Sequence, residues 1–183
     1  MIVAPLPSNE FLRLQSLQSL NILDTQPDER FDCITRFAAE ALSVPICLVS
    51  LVDTNRQWFK SVVGLEVTET ARTYSFCAHA ILKANACDPD SRIFEIEDAY
   101  KDIRFHDNPL VLECPWIRSY LGYVLQTKSG LNIGTLCLIG IESRKFTDSE
   151  KNLLTVLGNM VENIVNGCRF SAGIEYELNT FID

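Results

Sequence analysis

Histidine is nearly absent: among 183 residues only His79 and His106 carry an imidazole. A multi-histidine zinc site is therefore excluded unless cysteines or carboxylates complete it. The chain also lacks the glycine clusters of phosphate-cradling loops, the GxSxG elbow of serine hydrolases and the HExxH zinc helix. It has no CxxC pair, and its seven cysteines are an odd number. In a chain long enough to bury a core, this indicates reduced, mostly buried thiols and a cytoplasmic setting rather than a disulfide framework. Basic runs are missing too. Sixteen Lys+Arg against 24 Asp+Glu leave a net charge of −8, which repels phosphate backbones and anionic lipid, so neither nucleic acid nor membrane is expected as a partner. The longest apolar stretch, around Pro45 to Val52, is far below the roughly 20 residues that span a bilayer. Met1 to Pro7 lacks the basic start of a targeting peptide. What remains, 47% hydrophobic and 22% charged residues, is ordinary globular usage.

Periodicity supplies the elements. Ser8 is a candidate N-cap for a helix whose apolar positions are Phe11, Leu14, Leu17 and Leu20, extending through Leu23. Thr25 and Asp28 resemble a capping box for a second helix with Pro27 in its first turn, burying Phe31, Ile34, Ala38, Ala41 and Leu42. Ile46 to Val52 reads as a buried strand; the turn Asp53-Thr54-Asn55 and Gln57 to Val63 complete a hairpin, with Trp58 inward and Lys60 snorkelling. Leu65 to Tyr74 reads as loop, Ser75 to Lys83 as a capped short helix, and Arg92 to Ile96 as a strand. Asp98 to Pro115 is a long mixed connection of the kind that binds ligands. Ser119 to Thr127 and Leu131 to Ile139 form a second hairpin. Thr147 to Glu150 is a full capping box, behind which Leu154, Leu157, Val161, Ile164 and Cys168 step by three and four, the spacing of a packing seam. Antiparallel strands in the middle with helices at both ends predict an α+β fold in one domain, 8–168. To the tail, 169–183, the pattern assigns no structure.

These residues admit several chemical readings. Cys77 and His79 could join Cys114 or Asp98 around a metal, but structural zinc usually shows closely paired cysteines, so a half-buried cavity lining is the better reading. Cys77 as a nucleophile would need a base from elsewhere, because residues two apart on a helix do not face each other. Asp98, Asp102 and Asp107 do not have EF-hand spacing. Arg72, Ser75, His79, Asp98, Arg104, Asn108, Arg118 and Tyr120 cluster around the irregular middle. There they either pin the long loop by pairing, as Asp98 with Arg104 or a carboxylate with Arg118, or contact a ligand.

Asp53-Thr-Asn-Arg-Gln-Trp-Phe-Lys-Ser61, Arg72-Thr-Tyr-Ser-Phe-Cys-Ala-His-Ala-Ile81 and Asp98-Ala-Tyr-Lys-Asp-Ile-Arg-Phe-His-Asp-Asn-Pro-Leu-Val111 resemble GAF domains found in bacterial sensors ahead of histidine kinase and diguanylate cyclase modules. Ile117-Arg-Ser-Tyr-Leu-Gly122, Ile133-Gly-Thr-Leu-Cys-Leu138 and Leu20-Asn-Ile-Leu-Asp-Thr25 continue the match, which covers Leu12 to Val165. The resemblance implies a PAS-like central antiparallel sheet, terminal helices on one face, and loops plus a short helix over a ligand pocket on the other. Mapped here, Trp58, Phe76, Cys77, His79, Arg104, Phe105, Asn108, Tyr120 and Thr135 would wall the pocket, with no metal or cofactor and no catalytic residue. Val124 stands where the family often has proline. The implied function is non-enzymatic sensing of an unknown small molecule, signalled through homodimerising terminal helices to a kinase or cyclase partner. No effector module follows the last helix, so the chain would act through a partner or as an input without its output. The alternative is a cysteine-dependent reductase of free methionine sulfoxide using Cys77, Cys87 and Cys114. A bilin on the Cys77-x-His79 pair and a purely dimerising platform are further readings.

Overall fold

The computed structural model describes residues 1–83 and 92–179, with side chains through residue 167. Two helices, α1 (Glu10–Ser19) and α2 (Glu29–Ala41), precede the strands β1 (Ile46–Val52), β2 (Arg56–Val63) and β3 (Glu69–Ala71). A 3-10 turn (Arg72–Tyr74), α3 (Phe76–Lys83), β4 (Ile93–Ile96) and α4 (Pro109–Leu112) lead to β5 (Ser119–Gln126), β6 (Asn132–Gly140) and α5 (Asp148–Asn179). The six strands form one sheet in the order β3-β2-β1-β6-β5-β4, and every neighbouring pair is antiparallel. Two hairpin-built halves therefore meet where β1 pairs with β6, from Ile46 opposite Ile139 to Leu51 opposite Gly134. The α+β class and the antiparallel sheet are as the sequence predicts.

Both faces of the sheet are covered, so the central strands are apolar at nearly every position instead of alternating. On one face Cys47, Val49 and Leu51 of β1 and Leu121, Tyr123 and Leu125 of β5 pack against Leu17, Phe31 and Ile34 from the N-terminal helices and Leu154, Leu157 and Val161 of α5. On the other face Leu48, Phe59, Tyr120 and Ile139 meet Phe76 and Ile81 of α3 together with Phe105 and Val111 from the long connection. Among the described residues no helix is long and apolar enough to cross a membrane.

Several local expectations are corrected. α1 begins at Glu10 after Asn9, not at Ser8, and its buried face is Arg13 and Leu17 while Phe11 is exposed. It stops before Asn21 and Asp24, whose φ angles of 50° and 58° are left-handed and incompatible with continued helix. Asp28, not Thr25, caps α2, accepting from the Arg30 amide. Lys60 does not snorkel. It is only 6% exposed and donates to Thr25 Oγ1 at 2.8 Å and Gln26 O at 2.7 Å. The stretch 65–74 holds β3 and the 3-10 turn rather than pure loop. The apolar seam of α5 from Leu154 to Ile164 packs on its own sheet, leaving Val156 and Met160 as the exposed large apolar side chains of its described part; the Cys168 side chain lies outside the described residues. The backbone of α5 continues past Cys168 to Asn179. The capping box at its start is present, with Thr147 N donating to Glu150 Oε2 at 2.7 Å and Glu150 N to Thr147 Oγ1 at 3.3 Å.

Candidate functional site

A cavity of about 420 Å³ opens on the face of the sheet opposite the terminal helices. Its floor is Leu48, Gln57, Phe59, Tyr120 and Ile139, its sides are the start of α3 and the segment from Leu110 to Ile117, and residues 64–67 with Thr70 form its roof. Exposed Glu66, Val67 and Cys114 mark the rim. The lining is mainly apolar. Gln57 accepts from the Ser75 hydroxyl through Oε1, while Thr70 Oγ1 is buried without a hydrogen-bond partner among the described residues. Among the described residues, Glu66 is the only carboxylate on the wall, and no lysine or arginine lines it. A wider groove of about 720 Å³ lies on the helix side, beside α2. Its polar groups bond one another, Ser61 Oγ to Asp32 at 2.5 Å and Thr35 Oγ1 to Ser61 at 2.8 Å, so it has less to offer a guest.

Beneath the cavity sits a buried sulfur centre. Cys77 Sγ accepts from Thr135 Oγ1 at 3.0 Å and from the Tyr120 hydroxyl at 3.2 Å, with Cys137 Sγ 3.9 Å away. Burial opposes ionisation of Cys77, but the hydrogen bonds from Cys137, Thr135 and Tyr120 outweigh it and hold the thiol below its ordinary range. Burial, reinforced by Cys77 beside it, pushes the Cys137 thiol well up. The charge of the pair therefore belongs on Cys77.

The nine residues expected on the wall do not all meet there. Phe76, Cys77 and Tyr120 line the cavity. Thr135 lies below it, bonded to Cys77. Phe105 stacks on Phe76 at 3.9 Å between ring centroids, and Phe76 on Tyr120 at 5.4 Å, which fills the centre of the expected pocket and moves the void toward the β2–β3 connection. His79 and Arg104 lie behind that stack. His79 Nε2 meets Ile2 O at 2.9 Å and its ring abuts Phe105; burial and Arg104 hold its pKa below the usual range. Arg104 pairs with Asp102 at 2.6 Å and covers Phe105. Asn108 caps α4 through the Leu110 amide and donates to Tyr74 O. Trp58 is on the opposite face, in the helix-side core, because side chains alternate along β2 and Phe59 takes the cavity side.

The charged residues of the middle act structurally. Arg118 pairs with Asp98 at 2.9 Å, pinning the long connection. Arg72 binds Glu10 and the carbonyl of Asp53, away from the cavity. Cys114 shares the cavity wall with Cys77; Cys87 lies outside the described residues. Sequence reasoning missed Gln57, a polar residue inside an apolar strand, and Cys137, which stood unremarked in the segment Ile133 to Leu138.

Residues 26–165 match the GAF domain family. The chain belongs to that family. This GAF domain is 41% identical over 144 residues to a cyclic di-GMP phosphodiesterase of Pseudomonas aeruginosa, covering 79% of the chain and only 23% of that relative. Among solved structures, it is similar to the blue-light absorbing form of the Thermosynechococcus elongatus PixJ GAF domain, with a TM-score of 0.63, 14% identity and coverage of 91% and 95% of the two chains. A Neisseria meningitidis free methionine-R-sulfoxide reductase aligns with a TM-score of 0.59 and 15% identity over 94% and 99%. At such identities these two structures establish the shared fold alone.

Proposed function

We propose that this GAF domain is a non-enzymatic sensory module whose input is a small molecule held in the cavity between the sheet and residues 64–70. The observation that carries the reading is the cavity itself: about 420 Å³, inside the roughly 300–1,000 Å³ of small-molecule sites. Its apolar wall carries the unpartnered Thr70 hydroxyl and Gln57 as polar groups to orient a guest. With no cation on the wall, a phosphate would be desolvated without a counter-charge. The guest is therefore a neutral, mostly apolar molecule with one hydrogen-bonding edge, and not a nucleotide. Binding works as a signal by differing in affinity between two conformations. The output runs through α5, which packs directly on β5, to a second copy and on to a kinase or cyclase partner. The likeness to part of a cyclic di-GMP phosphodiesterase supports a place in a signalling protein.

The test is ligand binding followed by thermal shift and titration calorimetry, with neutral aromatic metabolites set against cyclic nucleotides. Members of the first class raise the melting temperature, and Gln57→Leu weakens them about tenfold, the worth of one hydrogen bond. Binding of cyclic nucleotides alone would overturn the reading. A second reading is supported by Cys77 and Cys114 sharing the wall: reduction of free methionine sulfoxide, which the same protein in a thioredoxin-coupled assay distinguishes by turnover.

A further inference from the structure

Cys77 stands in the wall of the cavity and Cys137 behind it, and the two form an unusual pair. Two hydroxyls, Tyr120 and Thr135, both donate to Cys77 Sγ. A neutral thiol is a weak acceptor and rarely collects two donors, whereas a thiolate is a strong one. Cys77 is 1% exposed and stands in the wall of the cavity, so the cavity is the one approach to it, and a bulky reagent is excluded. Cys137 is fully buried behind it, at 3.9 Å. Other cysteines differ from this pair: Cys47 is buried with its thiol pushed up to about 12 by burial, and Cys33 and Cys114 are exposed.

We propose that Cys77 and Cys137 are a peroxide-oxidisable dithiol, with Cys77 the sulfur attacked through the cavity and Cys137 the resolving thiol. The Cys77 thiolate forms an S–O bond to one peroxide oxygen as the O–O bond breaks. The departing hydroxide takes up the proton that Cys77 had released and leaves as water, and Cys77 becomes a sulfenic acid. Cys137 sulfur then bonds to that sulfur as its S–O bond breaks, and the hydroxyl leaves with the Cys137 proton as a second water. Two thiols have lost two electrons, and one peroxide has become two waters. Closing the sulfurs from 3.9 Å to a bond of about 2 Å draws α3 onto β6 at the cavity floor. An external dithiol reverses the change.

The test is hydrogen peroxide added to the intact protein, followed by non-reducing digestion and mass spectrometry. The expected product is a Cys77–Cys137 linked peptide, lighter by about 2 Da for the two hydrogens lost and restored by dithiothreitol, while Cys47 stays reduced. A bulky aromatic disulfide should label Cys33 and Cys114 and spare Cys77. In Cys137→Ala the reaction should stop at a sulfenic acid on Cys77, read as a gain of about 16 Da on its peptide or trapped by dimedone once the oxidised protein is unfolded. Cys77 remaining reduced while Cys33 and Cys114 oxidise would overturn the proposal, as would its linkage to Cys114. The wild-type arm decides the matter even if the variant fails to fold.

Discussion

In the first turn of α1, Glu10 would ordinarily be a solvated carboxylate favoured by the positive end of the helix. Here it accepts from Arg13 Nε at 2.7 Å and from Arg72 Nη1 at 2.5 Å. Arg13, with no exposed surface, also donates to Val52 O at 2.6 Å, so the three side chains bolt α1 to the β1–β2 turn. Burial works against the Glu10 charge, but the hydrogen bonds from Arg13 and Arg72 prevail and lower its pKa from 4.5 to about 2. A depressed carboxyl contributes stability that is fully present above its unfolded value near 4.5 and is lost as pH falls toward 2. The shift corresponds to about 3 kcal/mol at neutral pH. Glu10→Gln should therefore unfold at lower urea concentration at pH 7, with the gap to wild type closing between pH 4.5 and 2; a gap independent of pH would contradict this account. None of it was legible from apolar spacing, which put Phe11 inside and gave Arg13 no role.

Among the elements, α5 is seated by a glycine. A Cβ built on Gly158 would stand 2.1 Å from Tyr123 Cδ1, so the helix backbone lies directly on that ring. Helix propensity alone favours Gly158→Ala by about 1 kcal/mol. The contact reverses the sign, because neither the strand nor the helix can withdraw without opening the core, and overpacking of this kind costs about 1–3 kcal/mol. The variant should melt lower than wild type, and Gly158→Ala combined with Tyr123→Leu should recover part of the loss. Elements of this strength were the readable ones: the continuous apolar run of β1, the two hairpins, the Ser75 cap of α3, seen as Ala78 N donating to Ser75 Oγ at 2.9 Å, and the Thr147 box. Alternation was harder to use where a strand is buried on both faces. Trp58 and Phe59 are equally apolar, and only the register of β2 decides which one meets the cavity. The position of the void itself follows from Phe105 stacking on Phe76, a contact between distant segments that no local pattern encodes.

For the whole molecule, the seam of Leu154, Leu157 and Val161 is spent on the domain's own core, so it cannot also hold a second copy. Val156, at 57% exposure, and Met160, at 47%, are one helical turn apart on α5, and Phe37 of α2 is 53% exposed. A homodimer would use this outer stripe. Sedimentation of Val156→Glu with Met160→Glu should then give a folded monomer from a dimeric wild type, whereas Leu157→Glu should fail to fold; an unchanged dimer would place the contact elsewhere. One feature of the sheet also bears on how the protein is made. β1 borders β2 and β6, and residues 53 to 131 separate it from the second of these. On the ribosome, that span takes on the order of 10 s to synthesise, during which a seven-residue strand destined for the very centre has one flank unclaimed. Such a flank is a template for any other nascent chain, so the yield of this protein in the cell depends on who shields that flank during the wait.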